Sequence, residues 1–417
     1  YKLFAILQIM NILIINHYAG SPEMGMEFRP YYFAREWVKE GHSVSILAAD
    51  NSHLRKHKVK IEKSFEEELI DGIKYIWVKT PEYHGNGISR VKNIFSFVRQ
   101  TYFNAKKIAK ELCPNVVIAS STYPSDNYVA RKIAKICKAK HIYEVHDLWP
   151  LSPMELGNMS KYHPFIMLMQ HGENYAYRHC DAVVSMLPNT KEHMKQHGLD
   201  LSKWHYIPNG IVIDDWNNSE PIPQEYEKLF TDLKNRGVII VGYTGGHAVS
   251  NALETLIDAA SLLQDNNKIC FVLVGDGVEK SKLIDRAKGL KNIIFLNPVS
   301  KKAMPNLLDK MDAVCFGANK SKLYKYGISA NKMMDYMMAE KPVIQYIDTE
   351  YDIIQKAEAG FSVEAQNPVK LSECIVEALN MSVDTRISIG KNAKSFVLQN
   401  HDYSVLATDF LKIINPL

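Results

Sequence analysis

Cys270-Phe271-Val272-Leu273-Val274-Gly275-Asp276-Gly277 is an unbroken apolar run that closes on a glycine turn. Five apolar residues without alternation suit a strand buried on both faces, the condition of a parallel sheet. A helical pattern follows, so the turn sits at a strand's carboxyl end and a helix's start. Glycine on both sides of Asp276 lets backbone approach a nucleotide closely, although an ordinary βα loop has the same composition.

The same alternation extends outward in both directions. Downstream and around this run, Val238–Gly242, Ile293–Leu296, Ala313–Phe316, Val343–Tyr346 and Phe361–Val363 read as strands with helices between them. Upstream, Asn11–Ile15, Ser43–Ala48, Tyr75–Val78, Val116–Ser120, His141–Val145 and Ala182–Ser185 do so again, with helices expected over Glu27–Glu40, Val91–Leu112 and Asp126–Cys137. Ile211–Tyr226, after Pro208-Asn209-Gly210, breaks both periodicities and reads as a linker. The expected fold class is α/β, with two Rossmann-like doubly wound domains facing an inter-domain cleft. Their bounds are 1–207 for the first domain and 208–400 for the second. A C-terminal helix over 401–417 packs back on the first domain.

A chain of 417 residues agrees with this division, since single cores rarely grow beyond about 250–300 residues. Apolar residues make up 46% and charged residues 23%, the balance of a folded chain rather than a disordered one. Six cysteines are scattered singly, with no zinc-ligand spacing, which suits buried thiols in a reducing cytoplasm. Tyr1–Asn16 is nearly all apolar but shorter than the roughly 20 residues that a span requires. It reads as a buried strand, with residues 1–9 an upstream extension. Residues 1–210 carry a net +7 and the remainder −3. A basic first half suggests an anionic partner such as a membrane surface. No nucleic-acid partner is expected.

Three further stretches carry candidate chemistry. Gly242-Tyr243-Thr244-Gly245-Gly246-His247 follows the first strand of the second domain, where glycines and a helix N-terminus can bind an anion. It is neither a Walker loop nor G-x-G-x-x-G. Tyr326-Gly327-Ile328-Ser329-Ala330-Asn331-Lys332 leads into a helix whose second turn carries Asp335. Amides, a hydroxyl and a lysine suit a pyrophosphate, and a carboxylate suits ribose hydroxyls; Lys332 and Asp335 are also spaced as a helical ion pair. In the first half, Tyr143-Glu144-Val145-His146-Asp147-Leu148-Trp149-Pro150 places His146 and Asp147 just beyond a strand, where proton transfer or sugar contacts are possible.

These motifs, with Asn16-His17-Tyr18-Ala19-Gly20-Ser21-Pro22, Gly25-Met26-Glu27-Phe28-Arg29-Pro30, Gly85–Arg90 and Ile207-Pro208-Asn209-Gly210-Ile211, resemble the retaining family 4 glycosyltransferases of the GT-B fold. The resemblance runs from Met10 to about Asn400 and points to the fucosamine-transferase-like branch of O-antigen and capsule assembly. It departs from the family's E-x7-E, because Gly327 stands at the first acid and Asp335 at the second. Sugar specificity is therefore not carried over from the wider family.

The resemblance implies transfer of an acetamido-deoxyhexose from a nucleoside diphosphate sugar, UDP-linked, with retention and without metal or other cofactor. The acceptor is a glycan or a polyprenyl-diphosphate-linked sugar. Donor-binding candidates are Gly25, Gly245, Gly246, Gly275, Asp276, Gly277, Ser329, Asn331, Lys332 and Asp335; His146, Asp147 and Lys332 are the catalytic ones. Arg90, Arg99, Lys106 and Lys110 are assigned to an acceptor or membrane side, peripheral on the inner face of the cytoplasmic membrane. Arg99, Lys106 and Lys110 share one face of the expected helix, with Lys92 seven residues before Arg99. Ile94, Val98, Tyr102 and Ala105 line another face, and Phe95, Phe97 and Phe103 add aromatic surface. Two rival readings are a UDP-sugar 2-epimerase and a non-catalytic subunit that binds lipid or polysaccharide.

Overall fold

The computed structural model describes residues 9–85 and 87–414. The reading of residues 1–9 as an extension thus falls almost wholly outside the described residues, as does Asn86. Contacts divide the chain into two compact units, Tyr1–Pro208 with Tyr403–Leu417, and Asn209–Asp402.

The first unit holds β1 (Asn11–Ile15), β2 (Ser43–Ala49), β3 (Glu66–Ile70), β4 (Ile73–Val78), β5 (Val116–Ala119), β6 (Lys140–Val145), β7 (Ala182–Ser185) and β8 (Trp204–Tyr206). They form one sheet in the order β3-β4-β2-β1-β5-β6-β7-β8, parallel throughout except for the antiparallel pair β3 and β4. β3, Glu66-Glu67-Glu68-Leu69-Ile70, is an edge strand with its middle residues exposed, and its acidic surface discourages further strand pairing. The final helix, Tyr403–Ile414, packs on the helix Arg29–Lys39. Tyr403 meets Tyr32 at 5.0 Å between ring centroids, Phe410 meets Trp37 at 5.3 Å, and Trp37 Nε1 donates to the Ala407 carbonyl at 3.1 Å.

The second unit holds β9 (Ile239–Thr244), β10 (Ile269–Val274), β11 (Ile293–Leu296), β12 (Ala313–Gly317), β13 (Val343–Tyr346) and β14 (Gly360–Val363). Their order is β11-β10-β9-β12-β13-β14, all parallel, which is the doubly wound arrangement with its reversal between β9 and β12. Neighbouring residues feed opposite faces. Ile240, Val272 and Val314 enter one core with Met333, Tyr336 and Met337, while Val241, Phe271 and Ala313 enter another with Leu256 and Ile375. The helix after β9, Leu253–Leu262, therefore covers one face, and Asn331–Met338, after β12, covers the other.

Two expectations need correction. The stretch 211–226 is not bare linker, because Ile213–Asn217 is helical and Ile211 pairs with Asp402. The helix expected over Val91–Leu112 is instead Ile88–Phe103 followed by Ala105–Leu112, with Asn104 leaving helical geometry at φ −90°, ψ 4°.

Candidate functional site

The reversal between β9 and β12 sets the geometry of the second unit, since connections leaving a doubly wound sheet on opposite faces open a crevice at the strands' carboxyl ends. After β9 the chain makes the turn Gly245-Gly246-His247, and after β10 it makes Gly275-Asp276-Gly277. The two turns touch backbone to backbone: the His247 amide donates to the Asp276 carbonyl at 2.8 Å and Gly245 N–H donates to the Val274 carbonyl at 3.0 Å. A methyl group on Gly275 would collide with the Gly245 carbonyl, and one on Gly277 with the His247 backbone. This close approach is what both glycines permit. Asp276 is exposed and its Oδ1 accepts from Gly277 N–H at 2.8 Å.

On the other side of the reversal, Ala330 caps the helix Asn331–Met338 without a side-chain hydrogen bond; the Met333 amide donates to the Ala330 carbonyl at 3.1 Å, and the amides of Asn331 and Lys332 stand ahead of it at the helix start. Asn331 is exposed. Lys332 reaches back so that Nζ donates to Tyr243 Oη at 2.9 Å and to Asn251 Oδ1 at 2.7 Å, and lies 4.6 Å from the Tyr243 ring centroid. Tyr243 Oη and Asn251 Nδ2 both donate to the Gly246 carbonyl, at 2.7 and 2.8 Å, so lysine and turn form one cluster. Among the described residues no carboxylate pairs with Lys332, and burial lowers its pKa to about 8.

His247 is fully buried beside this cluster, and neither ring nitrogen has a hydrogen-bond partner. Burial, and next the Lys280 cation, hold it neutral with a pKa of about 4. An unsatisfied buried imidazole is costly unless a ligand completes it.

Two donor candidates are placed otherwise than expected. Ser329 lies before the helix, with Oγ accepting from Asn209 N–H at 3.0 Å. Asp335 does not pair with Lys332; both its oxygens take Lys301 Nζ, at 2.6 and 2.5 Å. Gly25 belongs to the first unit, as expected, and its amide donates to the Ser21 carbonyl at 2.8 Å.

In the first unit the corresponding reversal lies between β1 and β5, and its carboxyl edge carries a buried ionic cluster. His146 stands between two carboxylates, Nδ1 3.3 Å from Glu27 Oε2 and Nε2 3.1 Å from Glu144 Oε2. Ser120 Oγ donates to Glu144 Oε2 at 2.6 Å, and Arg29 Nε donates to Glu144 Oε1 at 2.9 Å. Asn16 Nδ2 ties Glu27 Oε2, at 3.2 Å, to the Ser120 carbonyl, at 2.6 Å. Burial acts to lower the His146 pKa, but Glu27 and Glu144 outweigh it and raise the value to about 9. Burial likewise acts to raise that of Glu144, yet Arg29, His146 and Ser120 bring it to about 2. Both ring nitrogens of His146 are thus engaged by carboxylates, so a part in proton transfer or a sugar contact would require one of these pairs to open. Asp147 turns onto its own loop, accepting from Ser152 Oγ at 2.6 Å and Leu148 N–H at 3.0 Å, and burial raises its pKa.

Of the residues assigned to an acceptor or membrane side, Arg90 sits elsewhere, bonded to Tyr18 Oη at 3.2 Å and held over the Tyr18 and Trp149 rings. Arg99, Lys106 and Lys110 are exposed, together with Lys92, Phe95, Tyr102 and Phe103. Phe97 is core, fully buried against His17.

Two family models match successive parts of the chain, Glycosyltransferase Family 4 over residues 24–215 and Glycosyl transferases group 1 over residues 238–381. It is a glycosyltransferase of the GT-B fold.

Solved structures agree in architecture at low identity. Anabaena HepE in complex with UDP and glucose aligns with a TM-score of 0.67 at 15% identity, over 98% of this chain and 100% of that one. An E. coli structure described as trehalose-6-phosphate bound with UDP-2-fluoro glucose aligns at 0.73 and 11%, over 97% and 99%. WaaG, described as a glycosyltransferase involved in lipopolysaccharide biosynthesis, aligns at 0.66 and 14%, over 97% and 99%. No curated protein matches the chain in sequence.

Several residues of this glycosyltransferase's candidate site had no role assigned from sequence. Glu144 carried a usable signal, since a charged residue inside a buried strand requires a partner. Glu27, Arg29 and His247 lay within quoted motifs, but what each meets comes from chain positions far away, as with Arg29 and the carbonyl of Ile207 at 2.8 Å.

Proposed function

We propose that the protein transfers a sugar, with retention, from a UDP-linked donor to a glycan or polyprenyl-diphosphate-linked acceptor in surface polysaccharide assembly. An acetamido-deoxyhexose is the sugar that the fucosamine-transferase-like motifs favour. One observation carries the reading: Lys332 is a half-buried cation without a carboxylate partner among the described residues, set against a double-glycine turn and a helix start without a side-chain cap. A diphosphate supplies the missing anion, and fixed donors of this kind stabilise the charge of a departing nucleoside diphosphate without a metal ion. Asn331 and the Gly245–Gly246 turn add donors, the Gly275-Asp276-Gly277 turn supports them, and the Asp335–Lys301 pair is assigned to the ribose. The ionic cluster about His146 shapes the acceptor side of the first unit. The same unit is proposed to lie on an anionic cytoplasmic leaflet. No described helix is long and apolar enough to cross a membrane.

The test is a panel of nucleoside diphosphates and nucleotide sugars scored by thermal shift, then nucleotide release with and without acceptor. Stabilisation by UDP compounds and release only with acceptor is the expected pattern. Absence of any nucleotide-induced shift, or release independent of acceptor, would overturn it.

A further inference from the structure

In the first unit, the helix Pro164–His179 precedes β7 and the helix Lys191–Gln196 follows it. Glu173 of the first, with His193 and His197 of the second helix and its cap, form the one group of His, Cys, Asp and Glu side chains among the described residues whose ligand atoms converge, all within 4.8 Å. We propose that these three residues bind a single divalent transition ion of zinc's class and so cross-link the two helices that flank β7.

The residue types fit, since two imidazoles and a carboxylate form a recurrent zinc-binding set that leaves a fourth position for water. The spacing fits as well: residues four apart share one helical face, and the His193 and His197 rings lie 4.6 Å apart between centroids. His193 Nε2 is 2.9 Å from Glu173 Oε1, and His197 Nδ1 is 4.0 Å from Glu173 Oε2. Ligand atoms around a tetrahedral ion with bonds of about 2.0–2.2 Å stand about 3.3–3.6 Å apart, so small side-chain rotations would bring atoms now within 4.8 Å of one another to that spacing.

The surroundings resemble the outer shell of such a site. Tyr177 Oη donates to Glu173 Oε1 at 3.1 Å and fixes the carboxylate. Gln170 Nε2 lies 2.7 Å from Glu173 Oε2, 2.8 Å from His197 Nδ1 and 2.9 Å from Asn174 Oδ1, more polar neighbours than its two N–H groups can serve. An ion displacing the amide would meet the carboxylate and the imidazole already gathered. Glu173 is 1% exposed and the His197 side chain 26%, so the carboxylate is shielded while one imidazole opens to solvent as an entry path. The group includes none of the donor-binding candidates, so the role assigned is cross-linking, not sugar transfer.

The test uses the full chain stripped with chelator and titrated with cobalt(II) and zinc(II), beside His197→Ala and His197→Gln. His197 is the most exposed of the three, so these variants are expected to fold. Supporting results are one equivalent of cobalt giving a visible d–d band without thiolate charge transfer, and at least about 100-fold weaker zinc binding in either variant. Failure of the wild-type chain to bind one equivalent would overturn the proposal. So would a thiolate band, or undiminished affinity in both variants.

Discussion

Lys301 Nζ lies 2.5 Å from Asp335 Oδ2, so the carboxylate one turn into the helix Asn331–Met338 is held by a lysine 34 positions away and not by Lys332. The Lys301 side chain is 41% exposed, so the pair adds no more than about 1 kcal/mol to stability. If the carboxylate also accepts ribose hydroxyls, Asp335→Asn should raise the donor KM by about 10- to 100-fold with little change in Tm. Lys301→Ala should shift KM far less. Equal, small effects of the two substitutions would leave Asp335 with a structural role alone.

With Lys332 in the donor site, as proposed, donor binding should depend on pH. Burial lowers its pKa from 10.5 to about 8, so the folded protein releases this proton near pH 8 while the unfolded chain keeps it to 10.5. Its contribution to stability therefore rises with pH across that window, because the unfolded state binds more protons there. UDP should reverse the shift by recharging the amine. Binding at pH 8 should take up a fraction of a proton, visible in calorimetry across buffers of different ionisation enthalpy, and affinity should fall above pH 8. Lys332→Ala should weaken UDP by about 1.5–3 kcal/mol and abolish the proton uptake. Retention of both in the variant would remove Lys332 from the donor site.

His247 separates ligand contact from folding. Its two ring nitrogens are buried without partners, so His247→Phe removes unsatisfied groups while roughly keeping ring volume. The free protein should be as stable as wild type or more so, whereas the Tm gain from saturating UDP should shrink, since a lost hydrogen bond to ligand is worth about 1–3 kcal/mol. A destabilised free protein with an undiminished UDP shift would mark the imidazole as a packing group.

His146 predicts the opposite slope in pH. Its pKa is raised from 6.5 to about 9, so the stability it contributes is complete below pH 6.5 and is lost as pH rises through 9. Denaturant titrations at intervals over that range should show the decline in wild type and not in His146→Gln. The variant leaves Glu27 and Glu144 without their shared cation, which should cost about 3–5 kcal/mol. A His146→Gln protein as stable as wild type but inactive would restore the imidazole to a direct part in transfer.

Much of the fold was legible because parallel strands buried on both faces are written as apolar runs, and β1, β7, β11 and β13 have the bounds that those runs give. β3 and β8 were not, since Glu66-Glu67-Glu68 looks like a solvated loop until β4 pairs with it, and Trp204-His205-Tyr206 is only three residues long. The site was legible as turns and not as pairings. Gly245, Gly275 and Lys332 stood out by position after a strand or before a helix. That Asp335 takes Lys301, or that His146 is locked by Glu27, depends on contacts across long stretches of chain that no local spacing records.

The proposed membrane contact rests on the helices Ile88–Phe103 and Ala105–Leu112. Although Asn104 interrupts them, its amide donates to the Gln100 carbonyl at 3.1 Å and its carbonyl accepts from Ile108 N–H at 3.0 Å, so the i to i−4 pattern persists. The exposed residues then fall in series: Lys92, Phe95, Arg99, Tyr102 with Phe103, Lys106 and Lys110, at spacings of three or four. Basic and aromatic groups therefore share the solvent face, and Phe103 is 72% exposed. Packing on the sheet accounts for Ile94 and Phe97 but not for these. Each cation near an anionic leaflet contributes about 1 kcal/mol, falling off within a Debye length, and inserted aromatics add a term that salt does not screen. Liposomes containing anionic lipid should sediment the protein at low salt and largely release it at high salt. Arg99, Lys106 and Lys110 changed together to Glu should abolish the salt-sensitive part, while Phe95→Ser with Phe103→Ser should abolish what remains at high salt. A wild-type protein that stays in the supernatant at every salt concentration would refute the interface and favour an acceptor met in solution.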